Sequence, residues 1–176
     1  MSDFTTCAKD IVDKISNSPF ANWGSFSEEA AQIIQKAAIE AETLPEVIAV
    51  TWLNETTFSI RPKPNVNGEP GNVLKHDMGC LAVNVYWSRK AVEKGLIKPF
   101  DEQQVFGTLL SNDERFFDGD PYQNVLTGTR FLLAYHGEIE EKVVHYTGKD
   151  HQDYRRQSWR DWSPLFKIFF ECYAST

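Results

Sequence analysis

The chain has 176 residues, with 18 Lys and Arg against 25 Asp and Glu, so its formal charge is −7. That length fits one domain with a true core, and 41% hydrophobic with 24% charged residues excludes a disordered chain. No apolar run approaches the roughly 18 residues of a membrane span, Met1-Ser2-Asp3-Phe4-Thr5-Thr6-Cys7 lacks the basic start and apolar stretch of a signal peptide, and the acidic balance argues against nucleic acid as a partner.

Phe4, Cys7, Ile11 and Ile15 recur at helical spacing and predict an amphipathic helix over 4–17. Asn17, Ser18, Pro19 and Gly24 break it. Ser25 and Glu28 form a Ser-x-x-Glu capping box, and Ile33, Ile34, Ala37, Ala38 and Ala41 then lie on one stripe, which predicts a helix over 26–42. Pro45 suits the first turn of a third helix, where a missing N–H costs nothing. That helix, from Glu46 to about Asn54, is apolar on all sides (Val47, Ile48, Ala49, Val50, Trp52, Leu53), the pattern of a buried helix. Glu55 falls at its end.

The pattern then changes. Thr56 to Ile60 alternate like a strand. Pro62, Pro64, Asn67-Gly68, Pro70 and Gly71 supply turns, and Asn-Gly is a hairpin signal. Further helices are expected near 87–94, 101–111, 121–136, 138–146, 151–160 and 163–173, with Asp120-Pro121 starting the third of these. The fold class expected is mainly α (α+β), with a small β-hairpin inserted after the third helix. Cys7, Cys80 and Cys172 include no CxxC pair. Three reduced thiols are expected, two of them buried; one disulfide with a leftover thiol is the alternative.

Glu55 is the first candidate for chemistry. Ile48 and Trp52, seven and three residues before it, share its helical face and would hold its carboxyl against apolar surface. The negative end of the helix dipole also disfavours ionisation there. Both effects raise a carboxyl's pKa, and a Glu protonated near neutrality is what a general acid requires. The competing reading is a solvent-facing Glu at a helix end.

Asp77-Met78-Gly79-Cys80-Leu81-Ala82-Val83-Asn84 follows the turns, and here the chain resembles the lysozyme-like superfamily. Its signature is a Glu ending a buried helix, a β-excursion, then Asp-x-Gly-x-x-Gln-x-Asn; Ala82 stands where that string has Gln. Ala41-Glu42-Thr43-Leu44-Pro45-Glu46 with Glu55-Thr56-Thr57-Phe58 is similar to the segment of soluble lytic transglycosylases (family 23 glycoside hydrolase-like) that carries their Glu. The stretch from Asp120 through Asn124 and Gly128 to Leu132 resembles their Pro-x-x-Asn-Ile-x-x-Gly-x-x-Tyr-Leu helix, in which Gly permits close approach. His145-Tyr146-Thr147-Gly148 occupies the place of Ala-Tyr-Asn-Gly, with Thr147 for Asn.

The resemblance implies a lysozyme-like fold, with the hairpin following the helix that carries the catalytic Glu. It is a single domain over 1–176: an N-terminal helical extension (1–24), a motif-bearing core (25–162) and an aromatic-rich C-terminal helix (163–176). It implies cleavage of the β-1,4 bond between N-acetylmuramic acid and N-acetylglucosamine in peptidoglycan, by a lytic transglycosylase with Glu55 as general acid and base. The alternatives are a lysozyme-type hydrolase using Glu55 and Asp77, and a catalytically decayed glycan-binding or structural module. Thr57, Asn84, Tyr146 and Thr147 would be substrate contacts, although Tyr146 also suits a core tyrosine and Asn84 a hairpin tie. No cofactor or metal is called for. Peptidoglycan strands are the partner, reached with the help of a phage particle, lysis system or secretion machine.

Other patterns point elsewhere. His136, His145 and His151 do not match the spacing of a helical metal pair. Arg155, Arg156 and Arg160 lie among Asp150, Asp153 and Asp161 and read as a solvated, mixed-charge helix face. Tyr154, Trp159, Trp162, Phe166, Phe169 and Phe170 read mostly as core.

Overall fold

The computed structural model describes residues 4–21, 25–66, 72–109, 116–146 and 151–175. The Asn67-Gly68 turn, Pro70, Gly71, Gly24, Thr147 and Gly148 lie outside the described residues. Helices dominate, with a small antiparallel sheet between the third and fourth of them.

Helix α1 spans Phe4–Ser16 and buries Ala8, Ile11 and Ile15. Helix α2 spans Glu28–Glu40. Its cap is Ser27, whose hydroxyl accepts from the Ala30 N–H, and not Ser25. Helix α3 spans Pro45–Thr56, with Pro45 in its first turn. Every residue from Glu46 to Leu53 is buried, so α3 is a central rod of the fold. Helix α2 and the later helices over Ile139–His145 and Gln152–Ala174 lie against it, the last most extensively.

Residues 56–60 do not form the expected strand. Thr57 and Phe58 both take left-handed φ, 50° and 60°, which turns the chain sharply and incorporates Phe58 into the aromatic core beside Phe26, Trp52 and Phe166. A β-branched residue pays for that conformation in strain. The Thr57 N–H nonetheless closes α3 by donating to the Leu53 carbonyl, 3.2 Å away. Strands come later: β1 (Asn65–Val66), β2 (His76–Met78) after a 3₁₀ turn over Val73–Lys75, and β3 (Val83–Asn84). They form one sheet in the order β1-β2-β3, all neighbours antiparallel, so the insertion has three strands where a single hairpin was expected.

Helix α4 (Val85–Glu93) starts directly from β3. The region expected as helix over 101–111 holds the short α5 (Glu102–Phe106), ended by Gly107. Helix α6 spans Pro121–Leu133 and is capped by Asp120, and α7 spans Ile139–His145. The last two expected helices are one: α8 runs Gln152–Ala174 through Pro164. Proline removes a single intrahelical bond, while Arg155, Ser158, Trp162, Phe166, Phe169 and Phe170 continue one buried stripe past it. Packing of that stripe outweighs the local break.

The cysteine expectation is corrected too. Cys7 and Cys172 form a disulfide that ties α1 to the end of α8, and Cys80 is free and buried. Chain spacing gave no hint of the pair because the two lie 165 residues apart. Among the described residues no helix is long and apolar enough to cross a membrane.

Candidate active site around Glu55

Glu55 sits in the last turn of α3, two residues before the strained Thr57-Phe58 turn. Its side chain is only 7% exposed. Burial pushes its carboxyl up to about 7 from an ordinary 4.5, the Arg155 guanidinium pulls against that rise, and the negative charge of Asp77 adds to it. Arg155 Nη1 donates to Glu55 Oε1 at 2.6 Å, and its own side chain is 11% exposed. The solvated reading of Arg155 is therefore wrong. Arg155 lies three residues before Ser158, seven before Trp162 and eleven before Phe166, on the buried stripe of α8. That spacing was the missed signal; the acidic neighbours in sequence concealed it.

A second bond fixes the same seam. Ser158 Oγ donates to Asn54 Oδ1 at 2.7 Å, so α8 is held to the end of α3 by two adjacent polar contacts. Two buried donors here, Asn54 Nδ2 and Arg155 Nε, have no hydrogen-bond partner among the described residues.

Asp77 belongs to β2, directly opposite Asn84 of β3. Asn84 Nδ2 donates to Asp77 Oδ1 at 2.8 Å, while Asn84 Oδ1 accepts from the Trp87 N–H and caps α4. Asn84 thus orients the Asp77 carboxylate and starts a helix. The Asp-x-Gly string is the β2–β3 hairpin itself: Gly79 (φ 77°) and Ala82 (φ 47°) make the turn, closed by the Ala82 N–H on the Gly79 carbonyl at 3.0 Å.

Helix α6 clamps this hairpin. The fully buried Asn124 accepts from the Leu81 N–H at 3.1 Å and donates to the carbonyls of Met78 and Val105 at 2.9 and 2.8 Å. A Cβ at Gly79 would overlap the Asn124 carboxamide, so Gly is required there. A Cβ on Gly128 would lie 2.9 Å from both Leu81 Cβ and the Tyr146 hydroxyl, so Gly128 lets the hairpin and Tyr146 come close to α6. Thr56 Oγ1 donates to the Cys80 carbonyl at 2.6 Å, joining the end of α3 to the hairpin.

Tyr146 follows α7, is buried, and donates its hydroxyl to the Leu81 carbonyl at 3.0 Å. Burial holds that hydroxyl far above its ordinary range, and the nearby Glu55 and Asp77 charges add to the effect. It serves as a neutral strut beside the carboxylates. Thr57 is 3% exposed, and its hydroxyl donates to the Leu53 carbonyl at 3.4 Å, so its side chain serves the helix end. Glu55, Asp77, Asn84 and Tyr146 are therefore drawn together around the end of α3, with Arg155 and Asn124 as the additions. The three histidines, by contrast, do not converge: among the described residues no group of three or more His, Cys, Asp or Glu is placed to hold a metal ion. No family model matches the chain, and no curated protein or solved structure matches it.

Proposed function

We propose that the protein is a peptidoglycan-cleaving glycosidase, acting on the N-acetylmuramic acid–β-1,4–N-acetylglucosamine bond in the manner of a lytic transglycosylase. The observation that carries this reading is the Glu55 carboxyl, buried at the end of α3, poised near pH 7, and accompanied by Asp77. A carboxyl with that proton affinity is about half protonated at neutral pH, so both its acid and its base form are available. Protonated Glu55 gives its proton to the leaving glycosidic oxygen as the bond to the sugar breaks. Asp77, held by Asn84, faces the positive charge that develops on the ring. The Glu55 carboxylate then takes the proton of the muramic acid 6-hydroxyl as that oxygen closes on the ring carbon. Backbone strain at Thr57 and Phe58, next to the acid, also supports a functional site. The Cys7–Cys172 bond supports work in an oxidising space, as a wall enzyme needs.

A second reading has an observation of its own. Glu55 is nearly enclosed and bonded to Arg155, which also suits a buried pair kept for structure in a glycan-binding or structural module. Incubation with purified peptidoglycan, followed by mass spectrometry of the released muropeptides, separates the readings. Anhydro-muramyl products are expected. Reducing-end products would indicate hydrolysis with Asp77. Absence of product, with Glu55→Gln indistinguishable from wild type, would leave the structural module. If Glu55 is the acid, Glu55→Gln lowers cleavage by about 100-fold or more, the usual worth of general acid catalysis.

A further inference from the structure

The Glu55 carboxyl is faced by charged or titratable groups from three elements: Arg155 of α8, Asp77 of β2, and Tyr146 after α7. The Tyr146 hydroxyl is committed to the Leu81 carbonyl, and Asp77 Oδ1 accepts from Asn84. Arg155 instead bonds the carboxyl directly, at 2.6 Å. One turn along α8, the Ser158–Asn54 bond locks the register of the helix that carries this cation. That bond holds α8 in register with the end of α3, so the Arg155 side chain springs from a fixed point beside Glu55.

We propose that Arg155 is the positioning residue of Glu55: from α8 it fixes the orientation of the carboxyl and offsets the negative charge of Asp77 beside it. Its consequence follows from the sign of each influence. Burial and Asp77 both favour the neutral acid, and Arg155 favours the carboxylate. Without the cation, Glu55 would hold its proton more tightly and give it up less readily to the glycosidic oxygen, while its carboxylate would remain able to take the second proton. With it, one carboxyl both releases and recovers a proton near neutrality. The kinetic part of this inference rests on the glycosidase reading; the hold of Arg155 on Glu55 does not.

The test therefore reads the carboxyl itself as well as turnover. Carbon-13 NMR of carboxyl-labelled protein follows the titration of Glu55 in the wild type, Arg155→Met and Arg155→Lys, alongside the pH profile of peptidoglycan cleavage. In Arg155→Met the midpoint is expected to rise by about 1–3 pH units, and the alkaline limb of the profile to move with it. In Arg155→Lys the charge remains, so the midpoint stays near that of the wild type, while kcat falls more than KM changes because the planar guanidinium contact is lost. A folded Arg155→Met with an unmoved midpoint would overturn the inference. If Arg155→Met does not fold, Arg155→Lys decides: wild-type kcat in it would overturn the positioning role. A midpoint that rises in Arg155→Met while even the wild type cleaves no glycan supports the hold on Glu55 and overturns the glycosidase reading.

Discussion

Arg155 and Arg156 are neighbours on α8, yet the helix turns them to opposite environments. Arg155 points inward to Glu55, with both side chains at most 11% exposed. Arg156 points outward and pairs with Glu141 at 2.5 Å and Glu140 at 3.4 Å, on a face that also holds Arg160 and His145. The outward carboxyl of Glu141 is lowered, first by its Arg156 bond. The inward carboxyl of Glu55 is raised despite the same kind of partner. Burial decides the sign: desolvation penalises the charged form more than one guanidinium restores it. An ion pair on the outer face is a solubility feature, whereas the inner one is a carboxyl made ready to hold a proton.

That contrast can be broken in several ways. The largest effect should come from the covalent tie on the same helix. Closing a 165-residue separation, the Cys7–Cys172 bond should contribute roughly 5 kcal/mol on the chain-entropy estimate. Chemical denaturation with and without reductant measures it; equal midpoints would show that α8 is held by packing alone. Next, Arg155→Met should lower stability by roughly 3 kcal/mol at pH 8, the low end for a broken buried pair because Glu55 can take up a proton in compensation.

The pH dependence is the third. Glu55 binds its proton more tightly folded than unfolded, so the native state holds more protons between pH 4.5 and about 7. Stability from this group is therefore highest below 4.5 and falls as pH rises through 7, by about 3 kcal/mol at ~1.4 kcal/mol per unit. Urea unfolding of wild type and Glu55→Gln across pH 4–8 should show this slope in the first and not in the second. The smallest effect belongs to the outer face. Arg156→Ala should leave the unfolding midpoint almost unchanged, and the small remainder should vanish in molar salt. A loss at Arg156 matching that at Arg155 would erase the contrast.

Much of the fold was legible in local pattern. The all-apolar run from Val47 to Leu53 marked the buried helix, and Pro45 its start. Asp120-Pro121 marked α6. Patterns set by tertiary contact were not legible. Alternation over Thr56–Ile60 suggests a strand, but Phe58 is claimed by the aromatic core and forces two left-handed residues instead. Pro164 suggests a break, but the aromatic stripe of α8 passes through it. The site divided in the same way. The helix face of Glu55 made it the first candidate, and the resemblance strings that follow it in the chain added to that choice. Arg155 is 100 residues away, and its charge pattern mimics solvent exposure; only its place on the Trp162–Phe166 stripe gives it away. Asn124 stood in a resemblance string, but its three bonds to the hairpin backbone and Val105 require the fold to be seen.

The central claim is that one carboxyl, buried at the end of α3, carries its proton into the neutral range. A carbon-13 titration of the Glu55 carboxyl in the folded wild-type protein tests it most directly. The expected midpoint is near 7. A midpoint in the ordinary carboxylate range, near 4.5, would contradict it and leave Glu55 as one more paired acid, no different in kind from Glu141.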